Sequence, residues 1–155
     1  MGSDVRSWTI GLPDEAATMR FAASLAPYLR AGDVVGLTGE LGSGKTTIAR
    51  GIIRALAGAE IEVPSPTFTL AQEYRDLVPP VMHYDLYRLR NSGELAEIGL
   101  GEVDRDALVL VEWPQRAEGM IAQTLSIDLV AAPQGRLATV KGDEVWSGWM
   151  RHARS

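Results

Sequence analysis

The sequence predicts an α/β protein with a mostly parallel central sheet flanked by helices and a C-terminal β-hairpin. Three observations carry that prediction. A short apolar run, Val34-Val35-Gly36-Leu37-Thr38, enters a glycine-rich turn and continues into a helix-patterned segment. Further strand-like stretches recur at Thr67 to Glu73, Val81 to Leu86 and Ala107 to Glu112, the last nearly all apolar, as in a strand buried on both faces. Near the end of the chain, two strand-like stretches flank Ala132-Pro133-Gln134-Gly135, which is a hairpin signal.

The elements follow in order. Trp8 to Leu12 reads as a short strand, and Pro13-Asp14-Glu15 places a proline and acids as at a helix start. In that helix Ala16, Met19, Ala23, Leu25, Ala26 and Leu29 recur at helical spacing and are expected to form its buried face, with Ala31-Gly32-Asp33 as the stop. Thr46 to Ala57 is the second helix, closed by Gly58. Past Pro114 a short helix leads to the hairpin strands Thr124 to Ala131 and Arg136 to Lys141. Val145, Trp146, Trp149 and Met150 suit a terminal helix against the sheet.

Composition narrows the function classes. A chain of 155 residues with 46% hydrophobic and 23% charged residues suits a single globular domain and argues against disorder or a coiled coil. No apolar stretch approaches the roughly 18 to 20 residues that span a bilayer, and Met1-Gly2-Ser3-Asp4 lacks the layout of a secretory signal, so no membrane association and a cytoplasmic location are expected. Cysteine is absent, which removes disulfides and thiol chemistry, and His83 and His152 are the only imidazoles. A formal charge of -5 argues against wrapping nucleic acid directly.

The most informative segment is Gly39-Glu40-Leu41-Gly42-Ser43-Gly44-Lys45-Thr46, which meets the pattern Gly-x4-Gly-Lys-Thr between a strand and a helix. Its glycines let backbone N–H groups curl into an anion nest, and the helix aims its positive end at the same point. Lys45 reaches the terminal phosphates, and the Thr46 hydroxyl suits magnesium. This is the P-loop, and it predicts the P-loop NTPase fold with ATP or ADP and magnesium as ligands.

Such a loop needs a carboxylate at the end of a neighbouring apolar strand. Asp85 follows Val81-Met82-His83-Tyr84, and Glu112 follows Leu108-Val109-Leu110-Val111, so both qualify. Ser65-Pro66-Thr67-Phe68-Thr69 lies where many P-loop proteins carry a segment that senses the terminal phosphate. Spacing alone leaves two readings open for Thr67, a hydroxyl for magnesium or a residue that begins a strand. His83 is read as a packed structural histidine. Trp113, Trp146 and Trp149 suit either core or a stacking surface, core being the commoner role.

Taken together, Gly-Glu-Leu-Gly-Ser-Gly-Lys-Thr-Thr, Ser-Pro-Thr-Phe-Thr-Leu, His-Tyr-Asp-Leu-Tyr-Arg-Leu and Val-Glu-Trp-Pro closely resemble the bacterial TsaE family in order and spacing. The resemblance runs from Leu12-Pro13-Asp14-Glu15 to Gln134-Gly135-Arg136. It implies an ATPase needed to make threonylcarbamoyladenosine in tRNA, working with TsaD and TsaB and meeting tRNA only through that complex. By matching motif, it implies that Leu41, Gly42, Ser43, Gly44, Lys45, Thr46 and Thr47 hold the nucleotide. Thr46 and Glu112 would serve magnesium, Asp85 would take the Walker-B-like place, and Thr67 would fall in the switch-like segment. Lys45, Asp85 and Glu112 are the catalytic candidates. Shorter matches imply nucleotide contacts from Glu15, Gln115 and Arg136. Glu40 departs from the aspartate that relatives commonly carry, and its side chain is not needed for the nest.

Three alternatives compete with this reading. A guanine-reading Asn/Thr-Lys-x-Asp is approached only by Val140-Lys141-Gly142-Asp143, where valine replaces the amide or hydroxyl, so a GTPase is rejected. A small-molecule kinase would place arginines in a lid, whereas Arg88, Arg90 and Arg105 are scattered. A nucleotide-driven switch of protein contacts is the non-enzymatic reading. With no evident arginine finger or strong general base, hydrolysis by the isolated chain should be slow.

Overall fold

In the computed structural model, which describes residues 6–66, 70–90, 93–94, 106–117, 121–143 and 146–153, seven strands share one sheet. They are β1 (Arg6–Leu12), β2 (Val34–Gly39), β3 (Ala71–Tyr74), β4 (Val81–Asp85), β5 (Leu108–Glu112), β6 (Leu125–Ala131) and β7 (Arg136–Gly142). Their spatial order is β1-β7-β6-β2-β5-β4-β3. The four central strands β6, β2, β5 and β4 run parallel. The flanking pairs β6–β7, β7–β1 and β3–β4 are antiparallel.

Strand alternation divides the interior in two. On one face Val35, Leu37, Val81, Leu108, Leu110 and Ile127 join the larger core with the helices. On the other, Val34, Met82, Tyr84, Val109 and Val111 pack with Leu86 and Ala117. Strand β5 is buried along its whole length, which explains its unbroken apolar sequence.

Helix α1 (Glu15–Leu25) starts where Asp14, in extended conformation, accepts a 2.7 Å hydrogen bond from the Ala17 N–H. Its buried residues are Ala17, Thr18, Phe21, Ala22 and Leu25, whereas Ala16 and Ala23 are exposed and Met19 is half-buried. The expected face is thus rotated from the real one. Alanines fit either side of a helix, so they do not fix its phase; Phe21, the largest apolar side chain, does. Pro27 lies in the 3₁₀ turn Ala26–Tyr28 that follows, while Leu25, Ala26 and Leu29 are buried as expected.

Helix α2 (Lys45–Ala57) runs directly out of the glycine-rich loop and ends at Gly58, whose φ of 67° is left-handed. Its buried stripe of Ile48, Ala49, Ile52 and Ile53 lies on the larger core. Gly51 permits close approach to α1, because a Cβ there would stand 2.7 Å from the Ala22 Cβ. Helix α3 (Ser147–Ala153) brings Trp149 into that core, edge-on to Trp8 and Phe21, and its indole N–H donates to Ser24 Oγ at 3.0 Å. Trp146 is buried too, so both C-terminal tryptophans are core residues.

Strand β3 is shorter than its apolar pattern. Leu70 has a φ of 66°, outside the extended range, so the strand begins at Ala71; residues 67–69 lie outside the described residues. Among the described residues no helix is long and apolar enough to cross a membrane.

Candidate functional site

Parallel strands β2, β5 and β4 deliver their C-terminal ends to one rim of the sheet, where α/β proteins keep their ligand sites. Register places Asp85 opposite Glu112, and Glu112 opposite Leu37 on β2. Because Asp85 and Glu112 continue the alternation of Val81 and Leu110, both lie on the α2 face of the sheet. The loop 39–44 that follows β2 therefore arches over them.

The loop's form follows from its glycines. Gly39, Gly42 and Gly44 have φ values of 149°, 76° and 105°, a backbone path that L side chains rarely follow. At Gly39 a Cβ would also stand 2.5 Å from Ser43 Oγ and 2.9 Å from the Leu129 carbonyl oxygen. The arginine of the C-terminal hairpin, Arg136, fastens the far side by donating to the Gly42 carbonyl.

Lys45 is only 5% exposed, and its ammonium donates to the Gly39 and Glu40 carbonyls at 2.8 Å each and to Ser43 Oγ at 3.3 Å. The same Nζ sits 4.5 Å from the centroid of the Trp113 ring. Trp113 reaches that position with a φ of 60°, a genuine outlier for a bulky residue of the kind that clusters at functional sites. Burial pushes the Lys45 ammonium below its usual range, while the carboxylates Glu112 and Asp85 pull it back up.

Below the lysine, Thr46 Oγ1 donates to Glu112 Oε1 at 2.8 Å, and His83 Nε2 meets Glu112 Oε2 at 2.7 Å. Both oxygens of one buried carboxylate are thereby engaged. Asp85 Oδ1 accepts from the Tyr87 N–H at 3.0 Å, which turns the chain at the end of β4. The Tyr87 ring lies 4.8 Å from Trp113, and the Arg116 guanidinium carbon lies 5.5 Å from Tyr87.

These groups line a cleft of about 550 Å³. It brings together Glu15, Leu41, Gly42, Ser43, Gly44, Lys45, Thr46, Thr47, Asp85, Glu112 and Arg136, all singled out in the sequence. Gln115 does not line it; it faces an adjoining cleft that shares Leu41, Tyr87 and Trp113. Thr67 lies outside the described residues. Sequence reasoning missed four participants in the cleft's architecture. Thr18 lines it from α1, anchored through its hydroxyl to the Asp14 carbonyl at 3.2 Å. Tyr87 and Arg88 line it from the segment after β4, where the block Tyr-Asp-Leu-Tyr-Arg was the available signal. His83, read as a packed residue, is indeed fully buried, yet it also touches the site carboxylate.

Hard oxygen donors dominate the base of the cleft. A hydroxyl beside a carboxylate suits magnesium, which takes few protein ligands and keeps several waters. Among the described residues no cluster of three or more His, Cys, Asp or Glu stands ready to hold a metal by itself.

Comparison with known proteins agrees over most of the chain. The family model described as threonylcarbamoyl adenosine biosynthesis protein TsaE matches residues 12–138. A Rickettsia felis protein named tRNA threonylcarbamoyladenosine biosynthesis protein TsaE is 38% identical over 114 residues, or 74% of this chain and 67% of the relative. Proteins of the same name from Bacillus subtilis and Haemophilus influenzae are 38% and 34% identical, covering 75% and 77% of this chain and 71% and 78% of their own. The crystal structure of Bacillus subtilis YdiB superposes with a TM-score of 0.73 at 28% identity over 99% of each chain. With the match covering the loop, both carboxylates and the hairpin arginine, the chain belongs to the TsaE family of threonylcarbamoyl adenosine biosynthesis proteins.

Proposed function

We propose that this chain is a magnesium-dependent ATPase of the tRNA threonylcarbamoyladenosine pathway, one P-loop NTPase domain spanning residues 1–155 and acting in the cytoplasm. ATP hydrolysis would support the threonylcarbamoyl transferase complex of TsaD and TsaB, with tRNA met only through those partners. The observation that carries the reading is the convergence of Lys45, Thr46 and Glu112 beneath a loop with three left-handed glycines.

Each group has a chemical role in that reading. The backbone N–H groups of residues 41 to 46 and the N-terminal end of α2 offer positive potential to the phosphates. Lys45 exchanges its hydrogen bonds with the Gly39 and Glu40 carbonyls for phosphate oxygens, and its charge offsets the negative charge that develops as water attacks in line. Thr46 and Glu112 would hold magnesium, which when bound supplies further neutralisation of the phosphate charge. Asp85 stands beside Glu112 at the adjoining strand end. Glu15, Thr47 and Arg136 border the same cleft and would contact the nucleotide from its sides, with Gln115 approaching from the neighbouring cleft.

The test is phosphate release from ATP by the chain alone and then with TsaD and TsaB. Slow release that rises with the partners supports the ATPase. Phosphorylation of a small-molecule acceptor instead would overturn it.

A further inference from the structure

His83 is 0% exposed, and nothing in the role just described uses it. For packing alone, an apolar side chain of similar volume would serve and leave no polar atom buried. The imidazole instead leaves Nδ1 without a hydrogen-bond partner among the described residues, a cost that a purely structural position has no reason to carry. Its other nitrogen, Nε2, meets Glu112 Oε2 at 2.7 Å, and the carboxylate is itself almost wholly buried.

The geometry makes that bond directional. Glu112 presents two oxygens, one toward Thr46 Oγ1 and one toward His83, and the tautomer with the proton on Nε2 is the one that donates to an ionised carboxylate. Backbone placement reinforces it: His83 and Asp85 lie two residues apart on one face of β4, and β4 pairs with β5 in a register that sets Asp85 opposite Glu112. The imidazole thus lies on the inner side of the carboxylate and the helix α2 hydroxyl on the other.

We propose that His83 is a positioning residue for Glu112: by holding Oε2 from within the core it fixes the carboxylate plane, keeps Oε1 beside Thr46 and so strengthens divalent-cation binding by that pair. The inference rests on the proposed assignment of Thr46 and Glu112 to magnesium. Hydrogen-bonded supports of metal-binding groups typically contribute about 10- to 100-fold to metal affinity.

The experiment measures Mn²⁺ binding to the full chain with saturating ADP by electron paramagnetic resonance, in wild type, His83→Ala and His83→Gln, beside ADP affinity without metal. His83→Gln retains an N–H that reaches the Nε2 position and leaves a smaller packing defect, and the thermal unfolding of each variant is recorded. The expected result is Mn²⁺ affinity lowered about 10- to 100-fold in His83→Ala, largely restored in His83→Gln, with metal-free ADP affinity unchanged. Equal Mn²⁺ affinity in wild type and a folded His83→Ala variant overturns the role of His83 alone. If wild type fails to bind Mn²⁺ with ADP, the assignment of the site falls and this inference with it. If His83→Ala does not fold, His83→Leu serves as the variant without an N–H: lowered Mn²⁺ affinity with metal-free ADP affinity retained supports positioning, and Mn²⁺ affinity equal to wild type overturns it.

Discussion

Thr46 Oγ1 donates to Glu112 Oε1 across 2.8 Å, although the two residues stand 66 positions apart in the chain. The bond ties the first turn of α2 to the end of β5 and sets a hydroxyl beside a carboxylate at the floor of the cleft. Thr46→Val keeps the shape and removes the donor, leaving one oxygen of a buried carboxylate unpartnered. Unfolding by urea should show a loss of about 1 to 3 kcal/mol, and nucleotide affinity should lose its dependence on magnesium. Thr46→Ser restores the hydroxyl and should restore both; a valine variant that still responds to magnesium would contradict the assignment.

Asp85 and Glu112 face each other across adjoining parallel strands, Glu112 engaged by Thr46 and His83 and Asp85 by the Tyr87 N–H, whereas the phosphate donors are the loop's backbone N–H groups and Lys45. Their removal should therefore affect the reaction more than the grip on the nucleotide. Asp85→Ala and Glu112→Ala are expected to lower kcat while ADP affinity changes much less, as read by phosphate release and calorimetric titration. Unchanged turnover in both variants removes these residues from the catalytic role.

Lys45 supplies a pH dependence with a defined sign. Burial lowers its pKa from the usual 10.5, so the folded protein gives up this proton at lower pH than the unfolded chain. Between the two values the unfolded state binds more protons, and this group's contribution to folding stability rises with pH. Phosphate binding runs the other way: it needs the ammonium, so ADP affinity without metal should fall as pH rises, beginning below 10.5. Lys45→Ala should weaken binding at every pH and flatten that profile. A wild-type profile that stays level through pH 10.5 would separate Lys45 from the phosphates.

Much of this arrangement is legible in the chain because it depends on short-range pattern. The Gly-x4-Gly-Lys-Thr spacing, the apolar run of Leu108 to Val111 and the acids that end β4 and β5 each report local structure whose consequence is local. The phase of α1 is not legible from its alanines, since Ala16, Ala17, Ala22 and Ala23 are nearly interchangeable in burial preference; Phe21 is the residue that reports it, and the close approach of Ala22 to Gly51 of α2 agrees. The contact between His83 and Glu112 was hidden for a different reason. It exists because β4 lies beside β5 in one particular register, pairing Val81 with Leu108 and Asp85 with Glu112 across a separation in the chain that no periodicity encodes. The left-handed backbone of Trp113 was equally hidden, because tryptophan is a poor signal for positive φ. It follows from the turn that closes β5, where the Trp113 N–H donates to the Leu37 carbonyl at 3.1 Å.

Arg136 reaches from β7 to the Gly42 carbonyl and so ties the hairpin to the outer edge of the glycine-rich loop. The hairpin is itself held in place at Gly135, whose φ is 75° and where a Cβ would overlap the backbone of Leu12 and Pro13. The arginine therefore hangs from a rigid turn and can preset the loop before nucleotide arrives. Pre-setting lowers the ordering cost of binding, so Arg136→Ala should weaken ADP affinity while costing no more than about 1 kcal/mol of folding stability. Arg136→Lys keeps the charge but loses the planar fork, and should recover only part of the affinity. Gly135→Ala moves the turn and leaves the arginine in the sequence. If placement is what matters, it should weaken ADP binding as Arg136→Ala does and also destabilise the fold. Full ADP affinity in a folded Gly135→Ala protein would show that the charge of Arg136 suffices wherever the hairpin holds it.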